Sequence, residues 1–412
     1  MTKLWIRHFT IEMFLILFLF SAACRAVPPE HVYIGQISAS SVLLAWGTTA
    51  GHGNTIGRDS TPLGKAEVKI AGRILPATHN WLEVNGLQPD TSYPYEVVVN
   101  GRSIGSGTVR TYPAKADSLA FFVIGDFGTG GQPQYRVAAA MDKEFEKRRN
   151  SKNPVRFVIT TGDNIYADVP KPVASHSGAA DADWESKFFR PYSNLLAAIP
   201  FYPTLGNHDG NESEKQGDLP AYLDNFYFPG NKPARYYQFQ FGGLVDFFAL
   251  DATKNTLPGT GKLVYAPGGE QHLWLTNALA ESKAPWKIPY FHEPPYTAGP
   301  FHGPSRNQLS HFVDLFKQHG VAAVFNGHEH NFQISDPSKT GGITYVISGA
   351  GGELRSGDIS AKLAKAGMKA FAAQHHFLVV EIQGKRMEIT PVNGDGKPIG
   401  KYEVTLPSSD IR

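Results

Sequence analysis

The sequence predicts an α+β chain of two domains, a small β-sandwich followed by a larger α/β domain. Three observations carry this. Residues 30–112 are short alternating runs broken by turn residues, with no helical period of useful length. From residue 118, apolar runs alternate with helical stretches, the pattern of strands joined by helices. Glycine (42) and proline (29) are abundant among the 412 residues, which favours strands and loops over a helical bundle. With 18% charged and 42% hydrophobic residues, the composition is ordinary for a soluble globular protein.

Residues 1–26 stand outside the fold. Lys3 and Arg7 precede an apolar run, MFLILFLFSAA at 13–23, and small residues and Pro28-Pro29 follow it. That is the layout of a secretory signal peptide. The run is short for a membrane span, so a retained anchor is the less favoured alternative. Removing 1–26 takes away Lys3, Arg7, Arg25 and Glu12 and leaves basic and acidic residues equal in number. No nucleic-acid or membrane-surface partner follows from charge. The one cysteine is Cys24, so the mature chain has no disulfide, and a domain of this size can do without one. Cleavage after Ala23 or Ala26 fits, and so does lipidation of Cys24, although Ser21 stands where a lipoprotein signal has an aliphatic residue. The expected chain is exported, periplasmic or secreted, and meets a membrane only through a lipid on Cys24.

Residues 27–113 form the expected sandwich. SSVLLAWGTT (40–49), HNWLEVNGL (79–87) and TSYPYEVVVNG (91–101) are its clearest strands, with Trp46 and Tyr95 as core aromatics. The corner Leu87-x-Pro89-x-Thr91-x-Tyr93, with Trp46, resembles a fibronectin type III-like domain. TYPAKADS (111–118) reads as a linker. Residues 114–408 form the second domain, with helices expected over 134–148, 184–199, 271–283 and 309–320. Two strands are expected around a Gly384-Lys385 turn.

Five apolar runs of this domain end in potential metal ligands: Gly125-Asp126, Gly162-Asp163, Gly206-Asn207-His208-Asp209, His292, and Gly327-His328-Glu329-His330. Four have glycine before the first ligand, which allows a sharp turn off a strand and close backbone approach. Sites in α/β sheets gather outside the carboxyl ends of strands. Singly, each signal is weak, since Gly-Asp is a common turn. Jointly, they would pack carboxylates that repel and desolvate unless cations meet them. One metal uses about four to six ligands, fewer than this inventory offers. Two metals about 3.5–4 Å apart, sharing one carboxylate, use it fully.

GDFG (125–128), GDNIY (162–166), GNHD (206–209), His292 in YFHEPP and GHEH (327–330) resemble the five ordered blocks of the calcineurin-like metallophosphoesterases. The tyrosine of the second block, Tyr166, resembles the mark of the purple acid phosphatases. The resemblance covers residues 118–390 and extends through the N-terminal sandwich. It implies a β-sandwich core flanked by helices, with the metal site at strand C-terminal ends. It implies that Asp126, Tyr166 and His330 bind Fe(III), and that Asp163 bridges to a second, divalent metal (Fe, Zn or Mn). Asn207, His292 and His328 would complete that second site. It also implies catalytic roles for His208, with Asp209 as its orienter, and for His302 in PFHGP, which lies one residue further along than in the mammalian-type pattern. Glu293 replaces the histidine or tyrosine often found there, a change on the expected leaving-group side. SGAGGE (348–353) reads as packing near the site.

The expected function is an exported acid phosphatase that hydrolyses small phosphate monoesters by attack of a metal-bound hydroxide, with His208 or His302 protonating the leaving group. The alternatives are a phosphodiesterase or nucleotide pyrophosphatase on the same scaffold, or a surface binding protein that uses the sandwich. The sequence leaves the oligomeric state open.

Overall fold

The computed structural model describes residues 30–49, 64–166, 184–210, 219–232, 234–254, 261–299 and 301–406. The expected signal peptide and Cys24 lie outside the described residues. No helix among the described residues is long and apolar enough to cross a membrane.

The first unit has seven strands: β1 (Glu30–Ile37), β2 (Ser41–Thr48), β3 (Ala66–Ile70), β4 (Arg73–Ala77), β5 (Trp81–Asn85), β6 (Ser92–Val99) and β7 (Arg102–Arg110). They form two antiparallel sheets, ordered β1-β2-β5 and β4-β3-β6-β7. The alternation in β3, AEVKI, puts Ala66, Val68 and Ile70 inside and the charged pair outside, as a half-buried strand requires. Trp46 and Tyr95 are buried in this core.

The second unit is a two-sheet core with helices outside. One sheet contains β8 (Ser118–Ile124), β9 (Val155–Thr160) and β10 (Phe201–Tyr202) in parallel. The other contains β11 (Tyr237–Phe241), β12 (Val245–Ala249), β13 (Trp286–Tyr290), β14 (Ala323–Asn326), β15 (Phe332–Ser335), β16 (Thr344–Ser348) and β17 (Met368–Ala372). The first sheet is completed by β18 (His376–Gln383), β19 (Arg386–Asn393) and β20 (Tyr402–Thr405), in the order β10-β9-β8-β18-β19-β20. Its β18–β19 hairpin turns at Gly384-Lys385, with Gly384 at φ 54°, where glycine alone is unstrained. All six residues of β9, VRFVIT, are buried, as a strand covered on both faces should be.

Phenylalanines join the sheets. Phe121 of β8 meets Phe247 of β12 edge-on at 5.2 Å, and Phe157 of β9 meets the same ring at 5.2 Å. Phe247 also stacks on Phe239 at 4.7 Å. Such pairs add to burial in fixing how the sheets register. Outside the second sheet, α2 (Glu270–Glu281) and α3 (Ser310–Gln318) cover Phe248, Val324 and Tyr345 with Leu275, Leu279, Phe312 and Phe316. Helix α1 (Gln132–Arg148) links β8 to its parallel neighbour β9.

Two local expectations differ from the structure. Residues 184–199 form a one-turn π-helix, Glu185–Phe189, and a one-turn α-helix, Ser193–Leu196, rather than one helix. Pro191 lies between them and cannot supply a backbone donor. The 111–118 segment is packed, not a free linker. Tyr112 is 3% exposed and lies 5.0 Å from Phe241 and 6.1 Å from Phe157, while Arg156 donates to the Thr111 carbonyl at 2.5 Å. The turn-like residues around Tyr112 concealed its role as an anchor.

Candidate metal centre

Five of the parallel strands deliver the site. The chain leaves β8 at Gly125-Asp126, β9 at Gly162-Asp163, β10 shortly before Asn207, β13 before His292 and β14 at Gly327-His328. The loops are tied to one another at once: Asp126 N–H donates to Gly162 O (3.0 Å), Gly327 N–H to His292 O (3.0 Å) and Gly351 N–H to Gly125 O (2.9 Å). The cluster therefore sits across the carboxyl ends of both sheets.

The turns depart from the simple glycine expectation. Asp126, Asp163 and His328 themselves take positive φ, at 54°, 50° and 69°. Of the four preceding glycines only Gly162 does, at φ 89°. Non-glycine residues held there carry strain, of order 1–3 kcal/mol each, that the surroundings must impose. The glycines mainly provide clearance. A Cβ at Gly206 would lie 2.2 Å from Asp163 Oδ1, and one at Gly327 would lie 2.6 Å from Asp126 Oδ2.

The side chains converge. Asp126, Asp163 and His330 place ligand atoms within 4.8 Å of one another, all three residues buried. Tyr166 Oη donates toward Asp163 Oδ2 (3.1 Å) and Asp126 Oδ1 (3.2 Å) and lies 3.2 Å from His330 Nε2. His292 Nε2 lies 3.2 Å from Asp163 Oδ2, 3.1 Å from Asn207 Oδ1 and 3.2 Å from His328 Nδ1. The atom Asp163 Oδ2 thus faces both the Asp126–Tyr166–His330 set and the Asn207–His292–His328 set. Each carboxylate spends its other oxygen on backbone: Asp163 Oδ1 accepts from His208 N–H (2.8 Å), Asp126 Oδ2 from His328 N–H (3.0 Å). The ring of His292 is fixed because its Nδ1 lies 2.8 Å from the Thr161 carbonyl. That directs Nε2 at the cluster, the arrangement usual behind a ligating histidine.

Charge is unevenly matched here. Burial would raise the Asp163 carboxyl, but the His292 charge and hydrogen bond hold it well below its ordinary range. Burial would lower His292, but Asp163 and Asp126 drive it well above. Burial and the same two carboxylates push the Tyr166 phenol well above 10. A phenol among anions stays protonated unless a strong cation faces it, and a bound cation inverts that local balance. Two buried carboxylates, three imidazoles, a phenol and an amide form a donor set that fits two cations, the harder oxygen donors at one end and more nitrogen at the other.

The expected catalytic histidines lie at the rim. The His208 ring is 4.5 Å from that of Tyr166. The His302 ring is 3.9 Å from that of His328, and burial and the Arg355 charge lower it to about 4. Asp209 does not orient His208. Its carboxylate accepts from the N–H groups of Gly206 (2.9 Å), Asn164 (3.0 Å) and Ile165 (3.3 Å), clipping the second and third ligand loops together. Glu293 is 4% exposed, neither of its carboxylate oxygens has a partner among the described residues, and burial raises it to about 7. The sequence reading missed Glu329, whose Oε1 accepts from His302 N–H at 2.8 Å. It also missed Arg355, whose backbone N–H donates to His330 O at 3.0 Å. Glu329 was visible within GHEH, between two ligands. Nothing local marks Arg355.

Residues 119–332 match the family model for calcineurin-like phosphoesterases. Purple acid phosphatase 17 of Arabidopsis thaliana is 30% identical over 282 residues, covering 62% of this chain and 76% of that protein. The tartrate-resistant acid phosphatase type 5 of Rattus norvegicus is 27% identical over 323 residues, covering 71% of this chain and 92% of that protein. Among solved structures, a purple acid phosphatase from seeds of yellow lupin (Lupinus luteus) superposes with a TM-score of 0.67 at 14% identity, covering 92% of this chain and 75% of that one. Motif order, donor geometry and these likenesses agree that the chain belongs to the calcineurin-like phosphoesterases and, within them, to the purple acid phosphatases.

Proposed function

We propose that this protein is an exported acid phosphatase that hydrolyses small phosphate monoesters at a two-metal centre. The observation that carries this reading is the position of Asp163 Oδ2, facing both donor sets at 3.1–3.2 Å. Asp126, Tyr166 and His330 would hold Fe(III). Asn207, His292 and His328 would hold a divalent iron, zinc or manganese, with Asp163 shared between them. When bound, such a pair supplies an activated water and neutralises charge on the phosphoryl oxygens.

The chain's own groups do the rest. His208 stands beside Tyr166 and is the proton donor to the leaving oxygen. His302, lowered to about 4, is neutral through most of the acidic range and offers an N–H to a phosphoryl oxygen instead. The buried carboxylates and the closely packed glycines keep the donor atoms preorganised.

The test is an assay of p-nitrophenyl phosphate against its bis-ester, with metals measured on the same sample. Faster monoester turnover with two metals per chain supports the reading. Faster diester turnover would favour a phosphodiesterase on the same scaffold. Absence of both turnover and metal would leave a binding protein. His208→Ala is expected to keep both metals and to lose roughly 10²–10⁴ in rate on substrates with poor leaving groups. The loss should be smaller for p-nitrophenyl phosphate, whose leaving group needs little protonation.

A further inference from the structure

Between the ligands His328 and His330 stands Glu329, which is fully buried. A carboxylate enclosed by protein is costly unless hydrogen bonds replace its water. Among the described residues, Oε1 accepts one N–H, that of His302 at 2.8 Å, and Oε2 accepts none. Glu329 therefore spends its bond on the segment that carries His302. Among the described residues, no helix or strand lies between Tyr290 and Ser310, so no backbone ladder sets the course of this segment. Its base is closed by Ser305 N–H donating to Pro294 O at 2.9 Å. Its near arm is held by Gln333 of β15, also fully buried. Gln333 accepts from Ala298 N–H at 2.9 Å and donates to Thr297 Oγ1 at 3.0 Å, and the same hydroxyl accepts from Gly299 N–H at 2.8 Å. That arm lies close against Glu329, since a Cβ on Gly299 would stand 2.0 Å from the Glu329 carboxyl carbon. The far arm is the one that Glu329 itself pins, and there the His302 ring lies 3.9 Å from that of His328.

We propose that Glu329 is a positioning residue for His302: its buried carboxylate fixes the His302 backbone so that the ring reaches the rim of the metal centre beside His328. This rests on the phosphatase reading above. Glu329 does not meet the substrate and acts only through the ring that offers its N–H to a phosphoryl oxygen. A carboxylate is a stronger acceptor for a backbone N–H than a neutral oxygen, which suits a segment with no ladder of its own. Because the residues on either side of Glu329 are ligands, the turn that presents His328 and His330 also sets where His302 begins. The spacing of His302 from His292, one residue longer than in the mammalian-type pattern, is accommodated in this way.

The test is a double-mutant cycle on kcat/KM for p-nitrophenyl phosphate in the metal-loaded full chain, using Glu329→Leu, His302→Ala and the two combined. Each single variant is expected to lose roughly 10- to 100-fold, the size of one hydrogen bond to a charged group. The combined variant should lose no more than His302→Ala alone. Glu329→Gln keeps an acceptor oxygen and should recover most of the rate. Gly299→Ala crowds the same carboxyl from the other arm and changes no residue beside a ligand. It should repeat both the loss and its non-additivity with His302→Ala. Metal content is measured on every variant, and if Glu329→Leu sheds metal the Gly299→Ala cycle decides. Losses that multiply in the combined variants, or a full rate in His302→Ala, would overturn the proposal. Failure of the unaltered chain to hydrolyse p-nitrophenyl phosphate would instead overturn the phosphatase reading, and this inference with it.

Discussion

At the scale of single residues, the site depends on side chains whose protonation is set by their neighbours. Tyr166 is the clearest case. Its hydroxyl is within 3.2 Å of Asp126, Asp163 and His330, and anions on two sides oppose ionisation of the phenol. Only a strongly charged cation would make it a ligand. A phenolate bound to Fe(III) absorbs visible light by moving electron density from ring to metal, so the iron-loaded protein is expected to be pink to violet. Tyr166→Phe keeps the ring and removes the donor. It should fold, lose the colour and hold an iron that is easier to reduce, as absorbance and redox titration will show. A variant that keeps the band would mean Tyr166 only packs. Asp163→Asn should abolish activity and lose both metals, because the atom facing both donor sets loses its charge; two ions retained on metal analysis would refute the shared position.

At the scale of elements, the ligand loops are held by clearance and by clips as much as by the strands. Gly206 is one of the tight points, since a Cβ there would lie 2.2 Å from Asp163 Oδ1 and 2.3 Å from its backbone nitrogen. Gly206→Ala must therefore displace the second ligand loop. It is expected to retain the sheets, seen by far-ultraviolet circular dichroism, and to lose most of its metal. Normal metal content in this variant would show that the loop yields easily. Asp209 works in the same region by accepting three backbone N–H groups from two loops. Its burial and the nearby Asp163 charge raise it to about 7.

Over the whole molecule, the sandwich and the second unit are joined by specific polar contacts. Tyr33 Oη donates to Asn225 O (3.0 Å), Tyr95 Oη donates to Ala197 O (2.6 Å), and His31 meets Glu185 at 2.5 Å. Tyr33 and Tyr112 belong to the same apolar cluster as the sheet-joining phenylalanines. One calorimetric unfolding transition is expected; two resolved transitions would show that the units unfold separately. Acid stability has a definite sign at His376. This histidine is fully buried, and burial lowers it to about 4, against about 6.5 in an unfolded chain. The unfolded state therefore takes up the proton first. Stability from this group is complete above about 6.5 and is lost as pH falls toward 4. His376→Gln should flatten the fall of melting temperature with pH across that window, whatever its effect at neutral pH. An unchanged slope would assign acid sensitivity to other groups.

The two kinds of fold and the order of the metal loops are written locally in the chain, because strand alternation, strand–helix succession and ligands at strand ends are local patterns. Asp126, Asp163, Asn207, His292, His328 and His330 stood out as candidates for that reason, while Tyr166 entered through the family resemblance of its block. The packing of residues 111–118 emerges from the folded chain, since Tyr112 finds Phe157 and Phe241 far along the sequence. The fold also decided that Asp209 clips loops together, that Glu293 is buried, and that the backbone of Arg355 is tied to that of His330. Each of these depends on which distant backbone comes within hydrogen-bond reach once two sheets have packed. A one-dimensional pattern does not encode that proximity, because it arises from the register of the sheets and the clearance at Gly206 and Gly327.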